Sequence, residues 1–157
     1  SRIFFGSGRQ PLAAMERCLR RHGLTEMDLF ITVEECSSFV FERFAKRAGI
    51  NITICPSLLE LKQKLSDRRN VSFHRPLAVI ADDPQFLHEM MSLPHWGRPF
   101  LVDASGSDRS VADATILASC SFADFRLALW ACLRRWDIYE TPALEALPRA
   151  GHCGGVE

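Results

Sequence analysis

A chain of 157 residues has the size of one ordinary domain, and 47% hydrophobic with 24% charged residues excludes a disordered polypeptide. Nineteen basic residues balance nineteen acidic ones, which leaves no electrostatic case for nucleic acid or an anionic membrane as partner. No apolar run approaches the roughly 18 residues of a membrane span, and the opening SRIFFGSGRQ lacks the shape of a signal peptide.

In chain order, the first predicted element is a short strand, Ile3–Phe5. A helix follows with Leu12, Met15, Leu19 and His22 at helical spacing, and Gly23 supplies its stop. A second strand is expected over Asp28–Val33, then a helix capped by Ser38 that turns Phe41, Phe44, Ala45 and Ala48 inward and ends at Gly49. Strand Ile50–Cys55 precedes Ser57-Leu-Leu-Glu60, whose capping-box spacing opens a helix carrying Leu61 and Leu65. Strand Leu77–Ala81 leads to Asp83-Pro84, an N-cap and first-turn pair for a helix through Met91. Strands Phe100–Asp103 and Ala114–Ala118 follow, and Ser121-Phe-Ala-Asp124 opens a last helix with Phe122, Phe125, Leu129, Leu133 and Trp136 on one face. Beyond Trp136 the chain loses period and gains Pro and Gly, which suits a short helix at most and then a linker.

The strands read as continuous apolar runs, which suits burial on both faces of a parallel sheet, and helices separate them. The expected fold is therefore α/β: a flavodoxin-like, doubly wound parallel sheet of five or six strands in a three-layer α/β/α sandwich. Residues 1–27 form an N-terminal strand–helix unit that either joins the sheet or stands beside it. Residues 28–136 form the main domain, and residues 137–157 a tail or linker. A first residue of Ser rather than Met leads to the expectation of a piece of a longer polypeptide. Six cysteines with irregular spacing and no C-x-x-C pair argue against a zinc site, and they suit a reducing cytoplasm.

Functional groups of such a sheet collect at the carboxyl ends of its strands. Glu34 and Glu35 end the Asp28 strand, Asp82 and Asp83 end the Leu77 strand, and Asp103 to Ser105 end the Phe100 strand. Adjacent acids with a hydroxyl suit Mg²⁺ binding and a carboxylate that accepts a phosphoryl group.

On these residues the chain resembles a receiver domain of two-component signalling. DLFITVEECSSFVFERFAKRAG is similar to that family's first strand, acidic pair and first helix, and INITICPSLLELKQKL to its second strand and helix. PLAVIADDPQFLHEMM resembles the strand with the phosphoacceptor, PFLVDAS the strand with the switch hydroxyl, and ATILASCSFADFRLALWACLRRW the last strand and helix. The resemblance spans residues 28–136 and makes Asp82 the candidate phosphoacceptor, with Ala81 the competing alignment. Glu34, Glu35 and Asp83 become the candidate acidic pocket, and Ser105 or Ala104 the switch position.

The departures are as telling. The family's Lys falls at or beside Cys120, and the chain has no lysine after Lys64. Without an ammonium, the charge that answers a phosphoryl group is missing. The sum resembles a degenerate, or pseudo-receiver, module of the kind found in hybrid sensor histidine kinases. The resemblance implies a cytoplasmic, non-enzymatic domain that acts through a protein partner, other domains of its own polypeptide or a homodimer. No cofactor is expected, with Mg²⁺ as the lesser reading.

Simpler roles compete at each position. Asp83 serves first as an N-cap, and Glu34 and Glu35 suit the mouth of a helix. His88 and His95 read as surface histidines, and the pairs Arg20-Arg21 and Arg134-Arg135 as solvated helix ends. Gly6-Ser7-Gly8 after a strand suggests a nucleotide phosphate site, the alternative from another class, but Pro11 replaces the third glycine of that fingerprint. Trp130 lies off the apolar stripe of the last helix, so it is expected as an exposed partner surface.

Overall fold

The computed structural model describes residues 9–21, 23–71, 75–94, 98–109 and 111–140. The expected strand Ile3–Phe5, the Gly6-Ser7-Gly8 turn, His22, His95 and the tail beyond residue 140 lie outside the described residues.

Strands β1 (Asp28–Thr32), β2 (Asn51–Ile54), β3 (Leu77–Ala81), β4 (Phe100–Asp103) and β5 (Ala114–Thr115) form a five-stranded sheet in the order β2-β1-β3-β4-β5. Every neighbouring pair is parallel. Helices α1 (Arg9–Arg21), α2 (Glu35–Ala48), α3 (Leu58–Val71), α4 (Pro84–Met91) and α5 (Phe122–Arg135) accompany it. This is the flavodoxin-like three-layer α/β fold that the apolar runs predict.

The two-residue period of a strand explains the two cores. Leu29 and Ile31 of β1, Ala78 and Ile80 of β3, and Phe100 and Val102 of β4 point to one face, where Phe41 and Ala45 of α2 and Phe125 and Leu129 of α5 meet them. The intervening Phe30, Val79, Ala81 and Leu101 point to the other face, against Leu61 of α3 and Phe86 and Leu87 of α4. Central strands are therefore buried on both faces, apolar through their middles with Asp28, Thr32 and Asp103 at their ends, whereas β2, at the sheet edge, ends in the exposed Asn51 and Ile54.

Punctuation residues act largely as their chemistry dictates. Asp83 Oδ1 accepts the Phe86 N–H at 2.9 Å, and the Ser121 and Ser57 hydroxyls accept the Asp124 and Glu60 N–H at 3.1 and 3.2 Å. Gly49 closes α2 at φ 74°, where an added Cβ would crowd Thr25 Cγ2 at 3.2 Å. Ser38 departs from expectation. The helix begins at Glu35 with Glu34 at its cap, and Ser38 is buried one turn inside with its N–H on the Glu34 carbonyl. Strand β1 feeds the helix with only Val33 and Glu34 between them, so the turn precedes the serine that sequence chemistry favours.

Four further findings depart from the sequence reading. Strand β5 is two residues long, because after Ile116 N–H reaches the Asp103 carbonyl the chain turns with Cys120 N–H on the Leu117 carbonyl. The crossover from β4 to β5, residues 104–113, holds no helix among its described residues, although parallel neighbours are usually joined by one. Its inner side is closed by Ala112, fully buried against the α3–α4 core.

Trp130 is 4% exposed and is not an exposed docking side chain. Helix α1 packs on α5, and Phe125 and every residue from Ala128 to Leu133 are buried. A side chain off the sheet-facing stripe is thus inside the fold, with the Arg134 guanidinium over its ring. Arg135 is no solvated helix end either. Its guanidinium donates to Asp113 at 3.3 Å and to the Arg98 carbonyl at 3.3 Å, and it lies over the Phe100 ring.

Candidate functional site

The carboxyl ends of β1, β3 and β4 stand level, since Thr32 pairs in register with Ala81 and Ala81 with Asp103. The acids that follow these ends therefore gather at one rim of the sheet. Asp82 is the first residue beyond β3 and is half-buried, whereas Ala81 belongs to the strand and faces the α3–α4 core. Asp82 Oδ2 accepts the Glu34 N–H at 3.0 Å, tying the end of β3 to the mouth of α2. The candidate phosphoacceptor and the first acid of the pair are thus adjacent.

The other predicted residues have local duties. Glu34 is exposed, and its Oε1 accepts the Ser37 hydroxyl at 3.3 Å. Glu35 is exposed in the first turn of α2, where a negative charge is favourable. The Asp83 carboxylate caps α4 and so turns away from any role shared with Asp82. The Ala104 N–H continues the ladder to the Ala81 carbonyl at 2.8 Å, which puts Ala104 beside the end of β3. Ser105 is one step farther, where its hydroxyl accepts the Ser107 N–H at 3.2 Å.

Asp103, which sequence reasoning placed among the acids at neighbouring strand ends without giving it a role of its own, lies at the same rim. It is 3% exposed, and its Oδ1 accepts the Ser105 N–H at 2.6 Å. An acid closing the apolar run FLVD was the available signal. At the slot where the receiver family keeps its lysine, Cys120 is half-buried; burial first and Asp124 second push its thiol up, so it is neutral at ordinary pH. Among the described residues no three His, Cys, Asp or Glu side chains converge in an arrangement that would hold a metal ion.

The opposite end of the sheet carries the strongest electrostatics. Asp28, which opens β1, is 8% exposed and accepts Asn51 Nδ2 at 3.0 Å, Arg75 Nε at 3.3 Å and a charged bond from Arg68. Burial alone would push its carboxyl up, but the Asn51 hydrogen bond and the two guanidiniums together hold it below its ordinary value of 3.8. Asp113 likewise gathers Arg98 at 2.9 Å, Arg135 at 3.3 Å and the Leu101 N–H at 2.8 Å. Both clusters fasten strand beginnings to helix ends, so they are structural rather than part of the acidic rim.

No helix among the described residues is long and apolar enough to cross a membrane. Comparison with known proteins finds no matching family model, no matching curated protein and no matching solved structure.

Proposed function

We propose that this chain is a receiver-like domain that has lost phosphoryl-transfer chemistry and works by binding and conformational coupling within a phosphorelay protein. The Asp82–Glu34 hydrogen bond carries the reading, because it joins a phosphoacceptor candidate to an acidic pair at adjoining strand ends, in a sheet of the appropriate order. The loss of chemistry follows from what surrounds that bond. No lysine lies beyond Lys64, the slot for one would be filled by a neutral thiol, and among the described residues no three His, Cys, Asp or Glu side chains gather where a metal ion could be held. The domain is cytoplasmic and not itself a catalyst. Its partners are other domains of the same polypeptide, as in a hybrid histidine kinase, or a second protein or copy.

The lack of a helix among the described residues between β4 and β5 agrees with this reading, since that segment has no phosphorylation signal left to relay. A working phosphoacceptor at Asp82 is the second reading, favoured by the same hydrogen bond. Incubation with acetyl phosphate and Mg²⁺, followed by intact-mass measurement, separates the two. We expect no durable adduct, because an acyl phosphate on Asp82 lacks a cationic partner. A stable gain of about 80 Da, the mass of one phosphoryl group, that disappears in Asp82→Asn establishes the second reading instead.

A further inference from the structure

Strand β5 has a slight hold on the sheet. It is two residues long, pairs with β4 alone, and follows a crossover in which residues 106–109 and Val111 are exposed. Two other ties fix it. Ala114 and Ile116 pack into the same apolar cluster as Phe125 and Leu129 of α5. Asp113, the residue before the strand, accepts Arg98 at 2.9 Å and Arg135 at 3.3 Å, and Arg135 also donates to the Arg98 carbonyl at 3.3 Å. The side chains of Arg98, Asp113 and Arg135 are 9%, 13% and 15% exposed, so solvent screens these pairs little. The segment from Asp113 to Arg135 is thus closed end to end, and the closure rests on Arg98, two places before β4. Along the same segment, Ile116 N–H donates to the carbonyl of Asp103, the buried acid at the end of β4. The closed segment therefore grips β4 ahead of its start and at its carboxyl end.

We propose that residues 113–135 act as one cooperative strap, locked where Asp113 meets Arg98 and Arg135, which opens as a unit before the rest of the sheet and so couples the last turn of α5 to the Asp103 end of the acidic rim. The inference stands apart from the receiver reading, because it concerns which segments move together and not what the rim binds. Its physical basis is one carboxylate shared by two guanidiniums. When Arg135 withdraws, the end of α5 loses both of its bonds to the sheet, and Asp113 loses one of the two charges that hold β5 in place. Bonds from a charged donor are stronger than neutral ones, and a two-residue ladder has little to replace them. Strands β1 and β3 lie at the centre of the sheet between two apolar cores, so they stay closed while the strap opens.

Amide hydrogen exchange of the full chain, read by NMR, tests the strap. The reporters are the N–H groups of Asp113 on the Leu101 carbonyl, Ile116 on the Asp103 carbonyl and Trp136 on the Cys132 and Leu133 carbonyls. In the natural chain, under rising urea below the unfolding transition, all three are expected to share one opening isotherm, and the amides of β1 and β3 to open at higher free energy. Arg135→Gln withdraws both guanidinium bonds. It should speed exchange at the three reporters by about tenfold or more, the worth of a hydrogen bond to a charged group, and leave β1 and β3 unchanged. Arg134→Gln, at the exposed neighbouring position, should leave Asp113 and Ile116 unchanged. Acceleration at Trp136 alone makes Arg135 a local tie and overturns the proposal. Equal acceleration throughout β1 and β3 overturns it too, because the strap then has no opening of its own. If Arg135→Gln does not fold, the natural chain decides: separate isotherms for Asp113 and Trp136 refute the strap, and a shared one below β1 and β3 upholds it.

Discussion

Trp130→Ala is expected to lower folding stability by about 3–5 kcal/mol, the cost of removing a large aromatic side chain from a packed interior. Trp130 is 4% exposed, in a helix whose residues from Ala128 to Leu133 are all buried, and the Arg134 guanidinium lies over its ring at 5.6 Å. Chemical denaturation of the variant measures the loss directly. A change below about 1 kcal/mol, the level typical of surface substitutions, would return Trp130 to the exposed docking role that its off-stripe position suggests. The association face sought on this helix is thus engaged within the chain itself.

Removing Asp28 has a comparable effect for a different reason. Asp28→Ala leaves Arg68, whose side chain is only 10% exposed, without its counter-charge, and such a break in a buried pair costs about 3–5 kcal/mol. Arg75 contributes less, because its side chain is 41% exposed and water screens it. The pH dependence has a definite sign. The Asp28 carboxyl is held below 3.8 in the folded state, so its stabilising contribution is complete above that value and is lost as pH falls through the lowered folded value. Urea unfolding between pH 5 and pH 2.5, a window of roughly that breadth around the shift, should show stability falling with acidification in the natural chain and a flatter profile in Asp28→Asn. Parallel profiles for the two proteins would mean that Asp28 ionises as freely folded as unfolded.

The strands and helix ends were legible in the sequence because their determinants are local. Apolar runs such as LAVIA and FLVD specify buried parallel strands, and Asp83-Pro84, Ser121 and Gly49 carry their capping chemistry in their own side chains or backbones. The gathering of Glu34 and Asp82 was legible too, since strand-end positions in this fold class converge. What stayed hidden depends on distant partners. Nothing in the spacing of Trp130 or Arg135 shows that α1 lies across one side of their helix or that Asp113 waits for the other. Asp28 looked like the first residue of a strand; its two guanidiniums come from Arg68 and Arg75, brought near by the return of the chain into β3. Ser38 misled because local preference marked the favoured cap, whereas the length of the β1 connection set the actual one.

The central claim is a receiver-like frame whose acidic rim no longer answers a phosphoryl group. Amide NMR of the full chain during titration with Mg²⁺ and beryllofluoride, a mimic of an aspartyl phosphate, tests it most directly. The account predicts no saturable shift at Glu34, Asp82, Asp103 or Ala104, and no rearrangement of residues 104–113. Saturable shifts at those strand ends, abolished by Asp82→Asn and spreading into α5, would contradict it and restore Asp82 as a working phosphoacceptor.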